Sequence, residues 1–471
     1  VVEPLTNYTV ARVQKNWKGN TLLGGMVTSV NRALDQPYLE DFMVRNAFTA
    51  GIDFTQYFKN RLYYIDVKGM LSSLHGSAGA ITALQNSVAH YYQRASSADY
   101  LGVDPTRRSL TGTGGYVKVG RKGNAKWNFS ETFTWSSPGF DVNDMGYMKE
   151  TDYLMNETEI MYRQTDIWKI FRYNAFTLSQ KNMWNYGGTP FSNNASLRWQ
   201  SMTMNRYEWD VKETFAWNWL DSRLLRGGPD VRFGSYFLTS AKFNTDKAKR
   251  MMFMLKYEGD HNFEGNRFKT ISPSLTFRLG NHVYLSGQLD YAWNTDEMQY
   301  VATTSPLSSS SLAPYYYVMG HMDQKTYGLT LKLQVNVTPD ISIQFYGAPF
   351  TSIAKYDDFK LAADTKSHTF ENRFQRIDPD QLTYADGVYT IGEGAGQMPF
   401  RNPDFRFNEF RSNLVARWEY LPGSTLYFVW EHRMSNRDNW YSSGWGSNLD
   451  RMWGLPATNT FMIKMNYWFN L

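Results

Sequence analysis

The sequence predicts an all-β chain folded as one large antiparallel transmembrane β-barrel of about 20 strands. Three observations predict it. The 471 residues include 16 Trp, 32 Tyr and 30 Phe, yet mean hydropathy is only −0.52. That mixture is expected when half of every strand is apolar, half is polar, and rings form girdles at two interfaces. Long segments alternate apolar and polar residues with period two. No run of about 18 apolar residues occurs, so any membrane crossing is made by strands and not by a helix.

The alternation is clearest in "YGLTLKLQVNV". Tyr327, Leu329, Leu331, Leu333, Val335 and Val337 take one face, and Thr330, Lys332, Gln334 and Asn336 the other. "HVYLSGQLDYAW" sets Val283, Leu285, Leu289, Tyr291 and Trp293 against Ser286, Gln288 and Asp290. "NLVARWEY" sets Leu414, Ala416, Trp418 and Tyr420 against Arg417 and Glu419. The final "TFMIKMNYWFNL" reads as a closing strand, with Phe461, Ile463, Met465, Tyr467, Phe469 and Leu471 facing lipid and Lys464 and Asn466 facing the lumen.

Tight turns punctuate the strands at 18–20, 58–61, 122–124, 205–208, 279–281, 338–340 and 421–423, and longer polar connections fall at 75–108, 181–193, 300–314 and 356–404. Short turns on one side and long loops on the other are the asymmetry of such barrels, the short side being periplasmic. Within 75–108, Ile81, Leu84, Val88 and Tyr91 follow helical spacing, so one short amphipathic helix capped by Ser77 is expected in an outer loop. Nineteen strands can be counted, and the first and last then run the same way. Single-chain bacterial barrels close with an even number, so strands upstream of Val1 are expected.

The segments "VVEPLTNYTVARVQKNWKGNTLLGGMVTSVNRAL", "SSPGFDVNDMGYM" (136–148), "RLLRGGPDV" (223–231), "NPDFRFNEFRSNLVARWEYLPGSTLYFVWEHR" (402–433) and "NTFMIKMNYWF" resemble an uncharacterised outer-membrane barrel family common in Bacteroidota. The resemblance covers nearly the whole chain. It implies that residues 1–471 are the barrel part of a longer protein, preceded by further strands and an N-terminal domain similar to a carbohydrate-binding module. It supplies no catalytic motif. The chain's terminal aromatics also resemble the signal read by barrel-assembly machinery.

There is no cysteine, so thiolate metal sites and disulfides are excluded, and a formal charge of +5 without basic runs does not point to nucleic acid. The seven histidines, at 75, 90, 261, 282, 321, 368 and 432, show no metal-ligand spacing. "HMD" (321–323) and the faintly calcium-like "DVNDMG" (141–146) are better read as loop or lumen polarity, the latter lacking a terminal bidentate Glu. "RGGP" (226–229) and "GTGG" (112–115) are read as a turn and a strand start, because no Lys-Ser/Thr follows to cradle phosphate. A Ser-His-Asn lipase arrangement is not favoured by any spacing. No catalytic, cofactor or metal residue is assigned, and an enzyme is not expected.

Two features point to function. In the long loop 356–404, Phe370, Phe374, Asp378, Asp380, Tyr384 and Tyr389 would suit a constriction or a glycan-contacting surface. "WNFSETFTW" (127–135) and "WDVKETFAW" (209–217) each place a glutamate, Glu131 and Glu213, in an otherwise apolar row between two tryptophans. A carboxylate facing lipid is costly. Either a bulge turns each Glu inward, or this wall meets another protein. The expected function is a channel or gated pore for carbohydrates or other nutrients. The alternative is a non-transporting scaffold or accessory subunit of an outer-membrane complex. Expected partners are outer-membrane lipid and lipopolysaccharide, with other outer-membrane proteins, surface lipoproteins and glycans as further candidates.

Overall fold

The computed structural model describes residues 4–94, 99–217, 219–280, 282–307, 315–439 and 444–469. The first ten strands are β1 (Thr6–Trp17), β2 (Thr21–Arg32), β3 (Asn46–Phe58), β4 (Tyr63–His75), β5 (Ser109–Arg121), β6 (Trp127–Ser136), β7 (Tyr153–Gln164), β8 (Phe171–Trp184), β9 (Pro190–Thr203) and β10 (Glu208–Ala216). A small hairpin follows, β11 (Trp219–Asp221) with β12 (Val231–Phe233). Then come β13 (Tyr236–Asn244), β14 (Met251–Asn262), β15 (Arg267–Leu279), β16 (Val283–Thr304), β17 (Tyr316–Asn336) and β18 (Ile341–Ala362). The next connection holds β19 (Phe374–Arg376) and a three-stranded sheet of β20 (Leu382–Ala385), β21 (Val388–Ile391) and β22 (Met398–Arg401). The chain ends with β23 (Phe405–Leu421), β24 (Ser424–Asp438) and β25 (Ala457–Asn466). Helices α1 (Pro37–Glu40), α2 (Ala78–Gln85) and α3 (Trp445–Trp453) lie in connections.

The fold is a large antiparallel β-barrel built on a 20-stranded sheet. One of the twenty, β19, pairs only with the last residues of β18. The other nineteen form the wall as a continuous meander from β1 to β25, with β10 passing directly to β13 and β18 to β23. All seven expected tight turns join consecutive wall strands at one end of the barrel. Their chemistry explains their sharpness: Lys18 and Gly19 both adopt positive φ, 49° and 70°, as a type I′ hairpin turn requires. Pro422-Gly423 sets a type II geometry, with Gly423 at φ 79°.

At the other end the connections differ from expectation. The strands of 181–193 run on, leaving only 185–189 as loop, because Asn182 and Asn193 remain paired across β8 and β9. Two connections that alternation alone did not mark, 137–152 and 217–235, are long and structured. α2 is capped by Ser77, whose Oγ accepts from the Ala80 amide at 3.0 Å. It stops at Gln85, short of Val88 and Tyr91, and Tyr91 takes a left-handed conformation at φ 47°. α1 and α3 add two further helices.

Directly paired residues share a face, so the register traces each face round the barrel. The outer face carries Ile65, Val67, Phe129, Phe133, Leu178, Leu197, Leu285, Leu331, Leu333, Phe345 and Phe428. The inner face carries charge in directly opposed pairs: Asp53 with Lys68, Asp66 with Lys118, Glu157 with Lys181, and Asp210 with Lys242. Lys68, Lys212 and Lys256 are exposed on that face, so it borders water and not packed side chains.

The two edge strands are unlike the rest. Val13 on β1 and Ile463 on β25 are 77% and 70% exposed, against 56% for Leu178 and Leu197 in the middle of the wall. Among the described residues β1 pairs only with β2 and β25 only with β24. Both run towards the turn end, so antiparallel closure of this seam takes an odd number of intervening strands.

Candidate functional site: the covered mouth and the outer-wall belt

The loop end of the barrel is covered from within. α2 lies on the inner face of β2–β5, where Ile81 and Tyr92 pack with Val30, Ala47, Leu74 and Leu110. Burial pushes the Tyr92 hydroxyl up to about 12. The β6–β7 connection dips onto the same face: the Asp141 amide donates to Ser72 Oγ of β4 at 2.8 Å. This explains the glycines of "GTGG". A Cβ on Gly112 would come within 2.1 Å of the Phe140 amide, and one on Gly114 within 2.7 Å of the Phe140 ring. Here glycine is required for close approach of backbone to backbone.

Buried polar contacts lock these loops together. His90 is fully buried, with Nε2 3.0 Å from Asp141 Oδ2 and Nδ1 2.9 Å from the Pro138 carbonyl. Arg94 Nη2 meets Asp152 Oδ2 at 2.5 Å, and Arg94 Nη1 donates to Ser222 Oγ at 3.1 Å. The Tyr100 hydroxyl donates to the same Asp152 oxygen at 2.6 Å, and burial with that carboxylate drives its pKa far upward. Arg223 pairs with Glu150 at 3.1 Å and donates to the Val88 carbonyl at 2.8 Å. Its burial lowers its pKa from the usual guanidinium value. An open cleft of about 960 Å³ lies beside this lock, lined by Arg32, Phe42, Asp144, Tyr147, Glu150 and Arg223 among others.

The β10–β13 connection carries the lock across to the extended strands β16–β18. Its "RGGP" turn is clasped: a Cβ on Gly227 would meet Gln93 at 2.7 Å, and one on Gly228 would meet Tyr317 of β17 at 2.6 Å. Beyond the turn, Leu225 and Val231 pack with Met298, Met319 and Phe374. Arg373, almost fully buried, holds Glu264 at 2.7 Å and donates to the Arg232 carbonyl at 2.8 Å. One continuous set of contacts therefore ties the rim of β2–β5 to the rim of β16–β18, which lie on opposite sides of the meander.

The second feature is on the outside. β6 pairs with β7 without a register shift, so Glu131 stays on the outer face. Its carboxylate accepts from Asn156 Nδ2 and, at 2.6 Å, from Thr158 Oγ1. Glu213 is outward likewise and accepts from Thr239 Oγ1 at 2.6 Å. The bulge that would turn these carboxylates inward is absent. Between them the same face presents Gln180 opposite Thr158 and Asn182 opposite both Asn156 and Asn193. These neighbours were legible in "YLMNETEIMY", where Asn156 and Thr158 interrupt the row of Leu154, Ile160 and Tyr162.

The loop residues singled out in the sequence are dispersed. Phe374 is buried beside Leu225. Phe370 packs edge-on against Phe374, centroids 5.3 Å apart. Asp378 caps a short 3₁₀ turn by accepting from the Asp380 amide. Tyr389 packs on Phe359 and Phe400, and Tyr384 lies against Tyr389 with its outer side exposed. Phe461, Ile463 and Met465 share the outer face with Trp430, Phe428 and Leu426. β25 ends at Asn466 because its partner β24 begins at Ser424, and Tyr467 and Phe469 follow the strand. Leu471 lies outside the described residues. "DVNDMG" spends its oxygens internally: Asp141 on His90 and the Asn143 amide, Asn143 on the Met148 amide, Asp144 on Arg32. His321 of "HMD" pairs with Glu297 at 3.1 Å. Among the described residues no group of three His, Asp or Glu side chains is placed to hold a metal. The residues of the mouth lock carried no sequence signal, because their partners lie up to 141 positions apart.

Among solved structures, the chain is similar to the siderophore receptor PirA from Acinetobacter baumannii, with TM-score 0.38 and 9% identity over 89% of this chain and 70% of that one. It is similar to the outer membrane transporter YddB from Escherichia coli, with TM-score 0.47 and 9% identity over 98% and 68%. It is also similar to a mutant of the ferric enterobactin receptor PfeA from Pseudomonas aeruginosa, with TM-score 0.41 and 9% identity over 95% and 72%. Siderophore binding and transport are properties of those proteins. No curated protein matches the chain. Over residues 1–471 it matches the family described as Domain of unknown function (DUF5916), and the chain belongs to that family.

Proposed function

We propose that the chain is a gated pore of the outer membrane, with its tight turns in the periplasm and its locked loops outside. One observation carries this reading: an inner wall of half-exposed, oppositely charged pairs ends beneath loops held together by buried ion pairs. A purely structural barrel has no need of a charged lumen, and a permanently open one has no need of the lock. Saccharides are the substrate class we place first. The exposed ring of Tyr384, backed by Tyr389 at 4.6 Å, offers the stacking face that sugars use. Opening requires the β4–β5 and β10–β13 connections to part.

The test is conductance of the full-length protein in planar bilayers. The intact protein should conduct rarely, and a variant lacking the Arg94 and Arg223 contacts should conduct steadily. If neither conducts under any applied potential, the pore reading fails. The outer-wall belt would then favour the second reading, an accessory subunit of a membrane complex.

A further inference from the structure

We propose that the outer wall from β6 to β13 is a docking face for a second, different membrane-embedded protein, which sets Lys, Arg or amide donors against Glu131 and Glu213 at mid-depth. Depth is set by the chain's own girdles. On β6 the glutamate stands midway between Trp127 and Trp135, and on β10 Glu213 stands midway between Trp209 and Trp217. Eight residues of strand span about 26 Å, which at a tilt of about 40° is a rise of about 20 Å, most of the roughly 25 Å apolar band of such barrels. Both carboxylates are therefore at the level where hydrocarbon would be deepest.

The contrast with the opposite wall is direct. At the same level β16–β18 present Leu285, Leu289, Leu329, Leu331, Leu333 and Phe345, all apolar. The β6–β13 wall instead presents Glu131, Asn156, Thr158, Gln180 and Glu213. Glu131 accepts one contact on each oxygen and Glu213 one contact on Oε2, which leaves acceptor sites over, since an ionised carboxylate has about four. Between its tryptophan rows this wall carries no Lys or Arg. The missing charge must come from the occupant.

Charge also decides against a second copy of the chain. A two-fold pair meeting on this belt would set carboxylate against carboxylate. The outward lysines elsewhere also stand away from mid-depth: Lys269 and Lys325 lie in the row of Trp293 at the loop-end rim, Lys355 lies beyond that row, and Lys15 lies at the turn end. Lipid supplies no donor at that level.

The experiment places a photo-crosslinking amino acid at Leu178 or at Leu197, paired neighbours within the belt between Glu131 and Glu213, and at Leu331 on the opposite wall as control. It uses the full-length protein in the native outer membrane. The expected result is one discrete protein adduct from both belt positions and none from Leu331, with the cross-linked peptide in a membrane strand carrying Lys, Arg, Asn or Gln. The double variant E131L/E213L should lower that adduct at least fivefold while keeping the thermal stability of the purified barrel in detergent. Adducts only with lipid or lipopolysaccharide, adducts with a second copy, or a yield unchanged in the double variant would each overturn the proposal. A loss of barrel stability in the double variant would also overturn it, by showing that the carboxylates serve the wall itself.

Discussion

Arg94 and Asp152 meet at 2.5 Å with their side chains only 2% and 0% exposed. They bring together two connections that enclose different strands, and Asp152 holds a left-handed backbone at φ 62° to do so. Such a conformation is uncommon for a residue with a side chain and costs on the order of 1 kcal/mol. Arg94, Tyr100 and the Tyr186 amide all converge on this carboxylate, so the strain is held by partners from two connections, β4–β5 and β8–β9.

Removing one member of a buried pair leaves the other charged and dry, at a cost of roughly 3–5 kcal/mol. Arg94→Ala should therefore loosen the mouth without unfolding the wall. Limited proteolysis should cut within 76–108 and 137–152 at least tenfold faster than in the unchanged protein. Equal cutting rates would show that the pair does not hold the loops.

Gly112→Val tests the seating of the β6–β7 connection on the inner wall. The new Cβ would lie 2.1 Å from the Phe140 amide nitrogen, a backbone atom that cannot step aside alone. Residues 137–144 should lift, Asp141 should leave His90, and hydrogen exchange should quicken across 137–152 while β4 and β5 stay protected. Unchanged protection of 137–152 would refute that seating.

Asp404 gives the mouth a pH dependence. Burial holds its carboxyl above the usual carboxylate range, although the Tyr356 amide donates to it at 2.7 Å and pulls the other way. A folded-state value raised above the unfolded one, about 4, means that its contribution is full below that value. It is lost as pH rises through the raised one. Protection from exchange at β20–β22, relative to the intrinsic rate at each pH, should fall as pH rises from acid towards neutral, and Asp404→Asn, which keeps an acceptor, should flatten that profile. A profile identical in the variant would assign the dependence elsewhere.

The seam between β1 and β25 makes a prediction about closure. Direct pairing there would be parallel, whereas every wall pairing is antiparallel. In the membrane-inserted full-length protein, cysteines at Val10 and Met462 should fail to form a disulfide, while cysteines at Val10 and Thr28, partners across β1 and β2, should form one readily. Efficient bridging of Val10 to Met462 would show that the wall closes on itself.

The wall was legible because strand alternation is a local property. Tyr327 to Val335 declare their face within nine residues, and Lys18-Gly19 and Pro422-Gly423 declare their turns within two. The paired glutamates were legible for the same reason, since a single polar residue in an apolar row stands out without knowledge of its neighbours. The end of α2 was not, because Val88 and Tyr91 keep helical spacing while the chain turns away to deliver His90 and Arg94 to their partners.

By itself the sequence determined the strand period, the short-turn end and the odd parity of the wall, all of which follow from bonding and sterics between near neighbours. Only the tertiary structure decided that Glu131 and Glu213 face outward in a shared polar belt, because that depends on unbroken register across β6 to β13. It alone decided that Gly112 and Gly227 are contact points, and that His90, Arg94, Arg223 and Arg373 lock the mouth. A buried ion pair needs its partner's position as well as its identity, and that position is fixed by how distant loops pack.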